Sequence, residues 1–227
     1  MKRIAFILSI SMLMLLLPGC TRRAELSSGE KGFTAHIRFV HAVPDGPSLS
    51  MYMDKDSVFP GIDYTGFSTY RDVVAGKRVV RIFPEGNTDS AAVTSEREME
   101  AGNYYTALVT GSSDSMKLLF LTDDVSPARK GKSKVRFVNA IPDPFVQRAD
   151  LRETPGDKTL VGDVKYLGVG PYITLKSGKH NFELRFEGLS TTLAKAPDTD
   201  LKSGGVYTIV AEGNLLENIT LQVYEDE

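Results

Sequence analysis

The sequence predicts an all-β chain built as two tandem sandwiches, and three observations lead there. Apolar residues alternate with polar ones over runs of about five to eight positions, the period of a strand and not of a helix. Turns rich in glycine and proline recur at roughly ten-residue intervals, so the strands are short and numerous. One nine-residue stretch returns 98 positions later (135 − 37), a spacing too long for a solenoid unit and close to the length of a small domain.

The chain opens on Met1, Lys2 and Arg3, continues through an apolar run over residues 4–17 that admits only Ser9 and Ser11, and reaches Pro18, Gly19 and Cys20. A basic start, an apolar run and a small residue before a cleavage point are the layout of an export signal. At about 14 residues, the run is shorter than the roughly 20 that cross a bilayer as a helix. Leu17-Pro18-Gly19-Cys20 resembles the lipobox of bacterial lipoproteins. That resemblance implies removal of residues 1–19, diacylglycerol on the Cys20 sulfur with acyl chains such as palmitate, and anchoring to the extracytoplasmic face of the cell membrane. Cys20 is the only cysteine of the 227 residues, so internal disulfides play no part in the expected fold. A chain of this length buries enough apolar surface without them. Residues 20–34, with Arg22, Arg23, Ser27, Ser28, Gly29, Glu30 and Lys31, read as a solvated, lipidated tether. Without Lys2 and Arg3 the formal balance is 25 basic against 29 acidic residues, net −4. Nucleic acid, which asks for a basic field, is not an expected partner.

The first sandwich is expected over residues 35–125, a polar linker over 126–133, and the second sandwich over 134–227. Ile37-Arg38-Phe39-Val40-His41-Ala42-Val43-Pro44-Asp45 returns as Val135-Arg136-Phe137-Val138-Asn139-Ala140-Ile141-Pro142-Asp143. Ala75-Gly76-Lys77 is echoed by Ser177-Gly178-Lys179, and Ala101-Gly102-Asn103-Tyr104-Tyr105-Thr106 by Ser203-Gly204-Gly205-Val206-Tyr207-Thr208, both 102 residues on (178 − 76, 204 − 102). Four residues have therefore entered the second copy, with residues 148–164 and their Pro155-Gly156-Asp157 as the expected place. Phe182, Leu184 and Phe186 share one face against Asn181, Glu183 and Arg185, as Val80 and Ile82 do against Arg81. That is a strand with one face buried. Tyr105, Ala107 and Val109 match Tyr207, Ile209 and Ala211 as inward positions, and the closing strands fall over residues 118–122 and 219–224. Several short strands in about 95 residues predict immunoglobulin-like antiparallel β-sandwich domains.

These motifs resemble the bacterial domain-of-unknown-function family 4397, marked by a first strand of the type V-R-F-V-H-A-x-P-D and a later A-G-x-Y-T stretch. The first copy carries the pattern at residues 37–45 and 101–106, the second at 135–143 and 203–208, with Asn139 in place of His and Pro144 where the first copy has Gly46-Pro47. The resemblance covers nearly all of residues 35–226. It implies an extracytoplasmic β-sandwich, frequent in lipoproteins and surface proteins, with no catalytic residues to carry over.

His41 shares a parity with Ile37 and Phe39 and is followed by Pro44-Asp45, so an imidazole and a carboxylate could meet at the sandwich end as a general base or metal ligand. Its replacement by Asn139 favours instead a polar residue that satisfies turn backbone groups. Asp45 and Asp143 follow proline, where a carboxylate commonly accepts from nearby N–H groups. His36 and His180 stand apart from one another, and no ligating thiol is in reach. The pairs Asp54 with Asp56, Asp123 with Asp124 and Asp198 with Asp200 lack the glycine and distal glutamate of a calcium loop and read as solvated charge. Ser68, Ser112 and Ser190 sit in no nucleophile elbow. Tyr64 and Tyr70 recur as Tyr166 and Tyr172 and read as core or corner residues, with glycan stacking as the other use. Tyr105 and Tyr207, each three residues after a glycine, resemble the tyrosine that pins a sandwich corner. Phe59, Phe67 and Phe145, which do not recur, are the expected copy-specific contacts.

The expected function is that of a membrane-anchored, non-enzymatic surface module without metal or cofactor, which binds or displays an envelope protein or wall polymer through its end loops. An envelope hydrolase using His41 and Asp45, and a purely structural spacer, are the alternatives.

Overall fold

The computed structural model describes residues 33–87, 89–145, 148–187, 190–215 and 218–226, so the lipidation residue Cys20, the signal 1–19 and the tether up to residue 32 lie outside the described residues. Among the described residues, eight strands form the first sandwich: β1 (Thr34–Ala42), β2 (Leu49–Met53), β3 (Asp56–Ile62), β4 (Arg71–Val74), β5 (Gly76–Pro84), β6 (Val93–Met99), β7 (Tyr104–Ser112) and β8 (Ser115–Asp123). Nine form the second: β9 (Lys132–Asn139), β10 (Arg148–Thr154), β11 (Lys158–Lys165), β12 (Ile173–Lys176), β13 (Gly178–Phe186), β14 (Thr192–Lys195), β15 (Thr199–Leu201), β16 (Val206–Glu212) and β17 (Thr220–Glu225). The expected linker 126–133 thus overlaps the start of β9.

Both sandwiches share one topology. An inner sheet orders β4-β1-β7-β8 and is repeated as β12-β9-β16-β17; an outer sheet orders β3-β2-β5-β6 and is repeated as β11-β10-β13-β14, with β15 also on β13. The expectation of antiparallel, immunoglobulin-like sheets needs a correction here. β1 runs parallel to β7, and β9 parallel to β16. Parallel neighbours need a crossover, which the chain supplies by building strands of the opposite sheet between them. The strand order also differs from the ABED and CFG order of immunoglobulin domains.

Pairing register locates the four extra residues. Met51 faces Ile82 and Leu151 faces Leu184, so β2 and β10 are offset by 100 (151 − 51); Phe59 faces Met51 and Val161 faces Leu151, an offset of 102 (161 − 59). Two of the four therefore precede β10, outside the expected segment. The other two enlarge the hairpin that carries Pro155-Gly156-Asp157.

Each sandwich closes on its own apolar core. Ile37, Phe39, Met51, Phe59, Ile82 and Ala107 pack in the first, and Val135, Phe137, Leu151, Phe182, Leu184 and Ile209 in the second. The tyrosine corners form as expected: the Tyr105 hydroxyl accepts from Glu100 N at 2.9 Å, and the Tyr207 hydroxyl from Lys202 N at 2.9 Å.

One-sided burial holds for an outer strand such as β6, where exposed Thr94, Glu96 and Glu98 alternate with more buried neighbours. It fails for β7 and β16, which are buried along nearly their whole length. The second face of each inner sheet packs on the inner sheet of the other sandwich, where Val40, Ala42, Leu108 and Leu121 meet Val138, Ala140, Val210 and Tyr224. The described residues are thus four layers in the order outer, inner, inner, outer, within one compact unit.

Phe137→Ala, at a fully buried site, is expected to cost about 3–5 kcal/mol in urea denaturation, whereas Phe145→Ala, at a side chain 79% exposed, should stay within about 0.5 kcal/mol.

Candidate functional site

At the seam between the inner sheets lie two buried arginines, Arg38 on β1 and Arg136 on β9, each in the same place of the repeated first-strand motif. Arg38 Nη2 donates to Asp226 Oδ1 at 2.6 Å, from the first sandwich to the end of the second. Arg136 Nη2 donates to Asp123 Oδ1, at the end of β8 in the first. Each arginine is thus neutralised by the other sandwich.

The supporting groups stay within each sandwich and link its own arginine to its own aspartate. Arg38 Nε donates to Thr106 Oγ1 at 2.8 Å, and Thr106 Oγ1 donates on to Asp123 Oδ2 at 2.6 Å. Arg136 Nε donates to Thr208 Oγ1 at 2.8 Å, and Thr208 Oγ1 to Asp226 Oδ2 at 2.7 Å. Tyr70 donates to Asp123 Oδ2 at 2.6 Å and Tyr172 to Asp226 Oδ2 at 3.0 Å, with each ring 5.0 Å beneath a guanidinium. Burial pushes both tyrosine hydroxyls well above their ordinary range, so they remain neutral donors. Arg38 is held protonated: its burial opposes the charge, and Asp226, Tyr70 and Asp123 together more than compensate.

His41 and Asp45 are not joined by a hydrogen bond. His41 is fully buried; its Nε2 bonds Pro47 O at 2.9 Å and its Nδ1 accepts from Val43 N at 3.1 Å. Burial lowers its pKa, against the smaller opposing effects of the Pro47 carbonyl and Asp63, so the ring is neutral. Asn139 repeats the second bond and finds a different carbonyl for the first: Oδ1 accepts from Ile141 N at 3.1 Å and Nδ2 donates to Val164 O at 2.9 Å. An imidazole in that tautomer and an amide each offer one donor and one acceptor, which is why the two exchange between copies. Asp45 instead accepts from Ser113 N and Ser113 Oγ, both at 3.0 Å, and Asp143 from Phe145 N at 2.8 Å and Leu215 N at 3.2 Å. Each carboxylate ties a first-strand loop to the closing hairpin.

Those two loops line a single cleft of about 320 Å³ between the sandwiches, with Pro44 and Asp45 from one and Pro142 and Asp143 from the other. Lys117 and Tyr166 complete the wall, the ammonium lying 5.3 Å from the ring centre. A larger hollow of about 480 Å³ opens at the edge of the first sandwich between β3 and β4, lined by Asp54, Asp56, Arg71, Asp72 and Arg78. Its walls come from one sandwich alone, whereas the smaller cleft joins the repeated Pro-Asp loops of both and is the better candidate for recognition.

The remaining sequence candidates disperse. His36 bonds Asp72 at 2.8 Å, and His180 bonds Glu153 at 2.6 Å. Asp54 accepts from Val79 N at 3.0 Å, Asp124 pairs with Lys134 at 2.6 Å, and Asp198 and Asp200 are exposed. Asp123 departs from the solvated reading, since it is the buried counter-ion of Arg136. Ser68 Oγ accepts from Phe39 N at 2.9 Å, Ser112 lines the cleft and Ser190 is exposed. Phe59 is corrected from surface contact to core, because its strand turns it under Met51. Phe67 and Phe145 are exposed, the former with its ring 4.6 Å from Tyr224. Sequence reasoning missed Arg38, Arg136, Thr106, Thr208 and Asp226. The available signal was a charged residue at the same place in both copies of an otherwise apolar strand.

Residues 35–146 match the model of a family described as a domain of unknown function, DUF4397, and so form one such domain. The match runs through the first sandwich and β9 to the second Pro-Asp loop. No curated protein matches the chain. Among solved structures, the Bacillus anthracis TIE protein aligns at 12% identity and a TM-score of 0.24 over 80% of this chain, which spans about a third of that one (34%). The family 26 carbohydrate-binding module from Eubacterium rectale Amy13K, solved with maltoheptaose, aligns at 11% identity and a TM-score of 0.25 over 85% of this chain and 96% of that chain. A streptococcal virulence factor described by its alpha-glucan binding aligns at 14% identity and a TM-score of 0.28 over 82% and 96%. Likenesses this distant carry no argument about a ligand.

Two substitutions check the joint. Arg38→Met should cost about 3–5 kcal/mol, because it strands the buried Asp226 carboxylate, and Arg38→Met with Asp226→Leu should recover most of that loss in a double-mutant cycle by urea denaturation. His41→Asn should fold with near wild-type stability, while His41→Ala leaves the Val43 N–H unmatched and should cost about 1–3 kcal/mol.

Proposed function

We propose that the chain carrying this DUF4397 domain is a lipid-anchored, extracytoplasmic and non-enzymatic module that binds an envelope protein or wall polymer through the cleft between its paired Pro-Asp loops. The observation that carries this reading is the convergence of Asp45 and Asp143, one from each sandwich, on the wall of one cleft. Two loops brought together by a locked joint make a preformed concave surface, whereas a spacer has no need of one. A non-enzymatic role is supported by His41, whose two ring nitrogens are both committed to backbone groups. The second sandwich is a further copy of the same domain, a reading supported by the shared strand order and the reciprocal arginine network. Attachment rests on Cys20, preceded by its apolar run and Gly19.

Cys20→Ala should move the protein from the membrane to the soluble fraction, and globomycin should leave residues 1–19 uncleaved. A variant that stays membrane-bound defeats the anchoring assignment. The soluble fragment, residues 21–227, should bind isolated cell envelopes, and Lys117→Glu at the cleft wall should weaken that binding without shifting the thermal unfolding midpoint. Equal binding by the two proteins would remove the cleft from the account.

A further inference from the structure

Glu212 ends β16 on the side of the strand that carries Thr208 and Val210 toward the first sandwich, and it is fully buried. Its cross-strand neighbour is Thr220 on β17. Neither carboxyl oxygen of Glu212 meets a hydrogen-bond partner, nor does Thr220 Oγ1 or the Tyr224 hydroxyl. Tyr224 belongs to the apolar cluster that joins the inner sheets. These groups lie at the joint, and such a carboxyl is costly to bury ionised.

The repeat makes this carboxyl conspicuous. The matching position in the first sandwich (212 − 102) is Thr110, whose hydroxyl donates to Ala140 O across the seam. A small neutral residue therefore suffices for the architecture, and Glu212 breaks the symmetry without supplying a bond.

We propose that Glu212 makes the joint between the two sandwiches a proton-sensitive latch, closed while its carboxyl is protonated and loosened as it ionises. The titratable and charged groups around it are few. Tyr224 faces it from β17; from the first sandwich, Tyr64 and Arg38 act on Tyr224, and His41 lies 6.1 Å from the Tyr64 ring. Arg38 is already neutralised by Asp226, and His41 is neutral. Among the described residues no cation offsets the charge of Glu212, and burial raises its pKa to about 8 from the ordinary 4.5. The folded chain holds this proton between those limits and the unfolded chain does not. The contribution is therefore complete below pH 4.5 and is lost as pH climbs toward 8, by about tenfold in the folding equilibrium per pH unit.

The test uses the mature chain and two variants, Glu212→Gln and Glu212→Thr, the latter copying Thr110. Thermal unfolding between pH 5.5 and 8.5 is followed together with amide hydrogen exchange. The wild type should lose stability steadily over that interval, with exchange rising first in β7 and β16 at the joint while β5 and β13 in the outer sheets stay protected. Both variants should flatten the pH dependence, and at pH 8 both should unfold at higher temperature than the wild type. Parallel pH profiles in all three proteins would overturn the latch, because Glu212 would then be ionised throughout. So would a wild-type midpoint that tracks the identity of the added cation, since an ion rather than a proton would then be neutralising the carboxyl.

Discussion

Two guanidinium groups buried between sheets would each be ruinous alone, and the joint rests on their being exchanged. Arg38 bonds directly to a carboxylate of the second sandwich and Arg136 to one of the first, while each sandwich also links its own arginine to its own aspartate through a threonine. The apolar remainder of the seam, Val40, Ala42, Leu108 and Leu121 against Val138, Ala140, Val210 and Tyr224, consists largely of small or aliphatic side chains that could slide past one another at little cost. Sliding separates guanidinium from carboxylate and leaves buried charges unmatched, a penalty of several kcal/mol for each. Burial of apolar area supplies the attraction, and the ion pairs select one register. Thr106 and Thr208 keep the partners in place within each sandwich, Thr106 between Arg38 and Asp123 and Thr208 between Arg136 and Asp226.

That constraint explains where the sequence was legible. The inward faces of β7, β13 and β16 follow from period-two apolar spacing, and the corners at Tyr105 and Tyr207 from the glycines before them, because one-sided burial and local turns leave marks within a few residues. The exchange at His41 and Asn139 was also readable, since donor and acceptor capacity is a property of the side chain. The parallel pairing of β1 with β7 was not, because alternation reports which face is buried and says nothing of strand direction. Nor was the second buried face of the inner sheets, whose polar positions, Arg38, Thr106 and Asp123, look like solvent-facing residues until a partner sheet is laid over them. Phe59 was misplaced for a related reason: lack of recurrence between copies does not distinguish a surface aromatic from a core one.

The same joint governs the candidate recognition surface. Asp45 and Asp143 each fasten a first-strand loop to the closing hairpin of their own sandwich, and the locked seam then sets the distance between the loops. Pre-organisation of this kind reduces the ordering cost of binding, so even a cleft of about 320 Å³ can be selective. It also ties recognition to the state of Glu212, since whatever relaxes the seam alters the spacing of the loops across it.

Asp226 neutralises an arginine that lies on the first strand, 188 positions earlier, whereas Asp123 and Arg136 stand only 13 positions apart. One fastening of the joint is therefore local in sequence and the other spans both sandwiches. Because the entropy of closing a loop grows only slowly with its length, the long closure costs roughly 2 kcal/mol more than the short one, and the short contact can guide the long one into place.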